Sequence, residues 1–140
     1  MTSQNEPGRK KRPPAWLTLS GFALLILSLS WLRLEDTDEK WVLVNAAAVT
    51  IWLATLHIVR LPPATQESIP RLALVGVLAG LAIIPVTILL MALKTGLHGH
   101  GTPDFTIEQI LSVTNRWYIW GSAGLLLGLL SGLICKVKSR

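Results

Sequence analysis

Residues 72–93 read LALVGVLAGLAIIPVTILLMAL, 22 consecutive positions without Asp, Glu, Lys or Arg. As an α-helix rising ~1.5 Å per residue, a run of that length reaches across a hydrocarbon core of ~30 Å. A membrane-crossing strand would need only ~10 residues and would alternate in polarity, which this stretch does not. Three further runs lack charged residues: Ala15 to Leu32, Trp41 to Val59 and Trp117 to Cys135. Each is long enough for a helical span, the first near the short end. The pattern predicts an all-α integral membrane protein with four transmembrane helices, over 15–33, 41–60, 72–93 and 117–135.

Composition supports that class. Hydrophobic residues make up 51% of the 140-residue chain and charged residues 15%, concentrated between the runs. The first run follows the basic stretch GRKKR, as a signal peptide would. It is longer than a signal core and LRLEDTDEK follows it with no small-x-small cleavage site, so it reads as an anchor. The net charge of +5 does not indicate a nucleic-acid binder, because the basic residues cluster beside apolar runs. A single cysteine, Cys135, excludes an intrachain disulfide.

Orientation follows from the cations. Four spans place both termini on one side. That side holds Arg9, Lys10, Lys11, Arg12, Arg60, Arg71, Lys136, Lys138 and Arg140, against Arg33, Lys40, Lys94 and Arg116 on the other. This asymmetry predicts cytoplasmic termini in a plasma membrane or an internal membrane such as a thylakoid. Residues 1–14 read as a disordered basic N-terminus, 94–116 as an outer loop and 136–140 as a basic tail. Trp31, Trp41, Trp117, Tyr118 and Trp120 fall at the outer ends of their runs, where amphipathic rings are favoured.

Two features inside the runs predict packing. Gly124, Gly128 and Gly132 recur every four residues, with Gly121 one turn earlier, and Gly76 and Gly80 repeat the spacing in the third run. Small-xxx-small steps let backbones approach closely. The expected use is helix packing, either within the chain or through the fourth span onto a second copy or another membrane protein. Pro85 removes one helical hydrogen bond and predicts a kink. Asn45, Thr50 and Thr87 are the notable polar groups, and interhelical hydrogen bonding is their expected role.

The outer loop carries the candidate chemistry. LHGHGTPD places His98 and His100 in an HxH pattern with Asp104 close behind. In extended backbone both imidazoles project to one side and could share a zinc or copper ion with Asp104. Alone, HxH is a weak motif, and here it sits among glycines. His57 lies at the opposite end of its run, which argues against an intramolecular bis-histidine haem. The following PDFTIEQILSVTNR predicts a short amphipathic helix with Phe105, Ile107, Ile110, Leu111 and Thr114 on its apolar side. Its start is read at Thr102, with Pro103 first in the helix, or at Thr106 with Gln109 in a capping box. It either lies on the membrane surface or caps the four-helix bundle.

The chain has no phosphate loop, nucleophile elbow, HExxH or CxxC. Ion-coupled transporters keep an ionisable group at membrane depth, and the runs contain no Asp, Glu, Lys or Arg. The expected function is that of a non-catalytic accessory or assembly subunit of a larger membrane complex, with no resident cofactor. The alternatives are a small transporter or channel, resting on Pro85, Asn45 and Thr87, and a metal-binding protein using the HxH loop.

Overall fold

A computed structural model describes residues 13–34, 38–61, 68–98 and 103–138. All regular structure among them is helical: α1 (Ala15–Leu32), α2 (Glu39–Arg60), α3 (Ile69–His98), α4 (Ile107–Asn115) and α5 (Trp117–Lys138). Four segments are long and apolar enough to cross a membrane: α1, α2, α3, and Ile107–Val137, which takes in α4 and α5 up to Val137.

Local chemistry explains most helix ends. Asp38 caps α2, its carboxylate accepting from the Lys40 backbone N–H at 3.0 Å, with Glu39 in the first turn where the helix dipole favours an anion. The helix stops at Leu61, whose ψ of 149° is the extended conformation imposed by Pro62. α4 begins at the second of the two expected caps. Thr106 accepts from the Gln109 N–H, and the Gln109 side chain accepts from the Thr106 N–H at 2.8 Å. Thr102, the other candidate, lies outside the described residues.

The third helix runs five residues beyond the expected 72–93 span, ending at His98 rather than yielding to a loop at Lys94. It stays helical through Pro85, whose ring sits on an exposed face and which offers no N–H to the Leu81 carbonyl one turn back.

Helices α1, α2, α3 and α5 pack in a row, with α3 between α2 and α5. The α3–α5 seam is antiparallel and advances four residues per step on both helices. Gly132 lies against Ile69, Gly128 against Leu72 and Ala73, Gly124 against Gly76, and Gly80 against Trp120. At Gly76, Gly80, Gly124 and Gly128 an added methyl would meet backbone of the facing helix, so only glycine permits this approach. Gly121 stands beside the seam and faces the Leu81 side chain.

The α1–α2 contact is more polar. Ser28 Oγ donates to Asn45 Oδ1 at 2.7 Å, and the Trp52 indole N–H donates to the Leu17 carbonyl at 3.0 Å. Gly21 leaves room for the Trp52 ring, into which any Cβ there would run. Asn45→Leu should destabilise the α1–α2 pair by about 1 kcal/mol, because interhelical hydrogen bonds in apolar surroundings contribute about 0.6–1.7 kcal/mol. Denaturant titration in detergent micelles measures this, and an unchanged midpoint would show that the bond carries no net stability.

Candidate functional site

The most elaborate side-chain arrangement lies where α3 ends and α4 begins. Val42, Ile84, Met91, Phe105 and Val113 form a buried cluster there, flanked by Trp31, Ile110 and Trp120. It gathers residues from all five helices and from the segment preceding α4. Phe105 is 4% exposed and anchors that segment. Apolar residues of α4 therefore divide: Val113 is fully buried and Ile110 packs against the cluster, whereas Ile107 and Leu111 are 73% and 54% exposed.

Polar groups are built into the same end. Lys94 is wholly buried, with its ammonium 4.0 Å from the centre of the Trp31 ring. A cation over an indole face is attracted by the ring quadrupole, more strongly when desolvated. One helical turn on, His98 meets Asp104 at 2.7 Å between Nδ1 and Oδ2. An ionised carboxylate only accepts, so the imidazole Nδ1–H donates. This bond joins the last residue of α3 to the segment leading into α4. At the rim, Arg116 spans from Ser112 to Glu39 with both contacts at 3.0 Å, tying the end of α4 to the start of α2. The pair is partly solvated and contributes less than about 1 kcal/mol. Glu108 is exposed in the first turn of α4. The indole N–H groups of Trp31 and Trp120 are buried with no acceptor among the described residues, for which we have no physical account.

Of the expected metal set, the structure brings His98 and Asp104 together, while His100 lies outside the described residues. Among the described residues no three potential ligands converge. The arrangement as described is a hydrogen-bonded brace. His57 is exposed near the far end of α2. Of the three polar groups expected to bond between helices, Asn45 does so with Ser28, whereas Thr87 and Thr50 donate within their own helices, to the Ile83 carbonyl at 2.7 Å and the Ala46 carbonyl at 2.6 Å, because a threonine hydroxyl reaches the carbonyl one turn back.

The Lys94–Trp31 pair was not anticipated, although a signal existed. Ile84, Thr87, Met91, Lys94 and His98 follow three- and four-residue steps along one helix face, and all but half-buried His98 are buried.

No protein-family model, curated protein or solved structure matches the chain.

Proposed function

We propose that this chain is a multi-pass integral membrane protein with both termini on the cytoplasmic side, acting as a non-catalytic accessory or assembly subunit of a larger membrane complex. The observation that carries this reading is the division of α4. Its inner side is tied down by Phe105, Val113 and the capping box, while Ile107 and Leu111, one turn apart, project outward. A short helix fixed on one side with an apolar pair on the other is suited to receiving a partner. The glycine face of α5 is occupied by α3, which favours this cap over α5 as the contact surface.

The test is photo-cross-linking in native membranes from a benzophenone residue at position 107 or 111, with position 126 on the outer face of α5 as control. Protein adducts at 107 and 111 but not at 126 are expected. A chain that runs alone in mild detergent and forms no protein adduct at either position would refute the accessory reading. Zinc and copper analysis of the purified chain tests the metal alternative. Near one metal per chain, lost in His98→Ala, would make the His98–Asp104 pair a ligand set.

A further inference from the structure

The α3–α5 seam fixes how deep α4 sits. Gly76 meets Gly124 and Gly80 meets Trp120, and one further step of four residues brings Ile84 level with Arg116. The buried cluster keeps that register, because Ile84 and Val113 belong to it together with Val42, near the outer end of the α2 run. Ile84 lies nine residues inside Leu93, the outer end of the uncharged α3 run, or about 14 Å at ~1.5 Å per residue. Taken alone, the run 117–135 would leave Asn115 outside a membrane. The register draws it in among the apolar runs of α2 and α3.

Asn115 is exposed at that depth, and its carboxamide has no hydrogen-bond partner among the described residues. Its neighbours do have partners. Ser112 bonds with Arg116, Thr114 donates to the Ile110 carbonyl, and Arg116 also reaches Glu39 at the start of α2. The other amide within the runs, Asn45, takes Ser28 of the adjacent helix. Lipid tails offer a carboxamide neither donor nor acceptor, and leaving it unpaired in an apolar medium is costly. Val113, Trp120, Gly124 and Gly128 all face α3, so one helical phase carries through Arg116 and the opposite side points away from α3. On that side Ile107, Leu111, Asn115, Tyr118 and Ser122 follow in steps of three and four, all exposed.

We propose that this stripe docks a second copy of the chain, the two Asn115 carboxamides bonding to each other across a two-fold axis normal to the membrane. The proposal rests on the membrane reading above and names the partner at its Ile107–Leu111 face. The chemistry of the stripe selects a second copy. A carboxamide carries both donors and an acceptor, so it complements itself, and a two-fold interface sets residues near the axis against their own counterparts. A single Asn in an apolar helix seam fixes register and oligomeric state in coiled coils. Glu108 stands beside the stripe only at its outer end, where water screens the like pair. Ser122 is small enough for close approach. Beyond it this face carries leucines, which lipid covers as well as protein does, so the contact stays in the outer half, above position 126.

Förster transfer between copies labelled at Cys135, the chain's single cysteine, tests this in phosphatidylcholine vesicles. The wild type should associate, and dilution with lipid should dissociate it. Asn115→Leu should weaken association about tenfold, as the loss of two interhelical hydrogen bonds implies. Asn115→Gln, which keeps the amide, should retain most of it. The wild-type dilution series needs no variant, so a misfolded variant does not shield the proposal. A wild type that stays monomeric at every protein-to-lipid ratio would overturn it, as would Asn115→Leu associating as tightly as the wild type. Cross-links from positions 107 and 111 that contain only a different protein would also overturn it, while leaving the accessory reading intact. Cross-links to the same chain alone would support it and leave the accessory reading without its larger complex.

Discussion

Gly80→Ala is expected to destabilise the folded chain by about 3 kcal/mol, the upper end of the usual range for overpacking. Its new methyl would overlap the Trp120 carbonyl oxygen, and backbone cannot rotate aside as a side chain can. Relief requires α3 and α5 to separate, which loosens the contacts at Gly76, Gly124 and Gly128 together. Gly124→Ala should act similarly, because its methyl would meet the Gly76 carbonyl. Gly96 provides the contrast. A Cβ there meets nothing within 4 Å, so Gly96→Ala should stabilise α3 by about 0.5–1 kcal/mol through helix propensity alone. Unfolding of the three variants by SDS in mixed micelles, followed by circular dichroism, checks both signs. If Gly80→Ala and Gly96→Ala unfolded at the same midpoint, the close α3–α5 approach would be wrong.

Phe105→Ala should cost about 3–5 kcal/mol of the free energy holding the cap closed, as buried aromatic truncations do. Among the described residues between α3 and α4, Phe105 is the one in the buried cluster. Without it, Val113, the His98–Asp104 brace and the Arg116–Glu39 pair must hold α4 against the chain entropy of the connecting segment. Hydrogen exchange should show protection falling across 103–116 while the α3–α5 seam retains its own. Loss spread evenly over all helices would mean that the cap and the seam form one cooperative unit. Ile107→Ala and Leu111→Ala separate stability from docking. Both side chains are exposed, so stability should stay within about 0.5 kcal/mol while partner capture falls.

Several elements were legible in sequence for local reasons. Uncharged runs predicted the long helices, and Thr106 with Gln109 predicted one start for α4. The end of α3 was misread because Lys94 closed the uncharged run. Burial over Trp31 keeps that lysine inside the helix, and no rule based on composition registers such a partner sixty-three positions away. The HxH reading paired two histidines by backbone alternation. α3 is helical through His98, whose imidazole meets Asp104 of the same expected set, while His100 lies outside the described residues.

By itself the sequence determined the number of long helices, the capping box offered at Thr106 and the four-residue spacing of the glycines. All of these depend on residues within a few turns of one another. Only the tertiary structure decided that the two glycine series face each other, that Lys94 is enclosed and that α4 turns Val113 inward and Ile107 outward. Those outcomes depend on the rotation and register of helices distant in the chain. An apolar helix leaves both open until close packing selects the faces that fit.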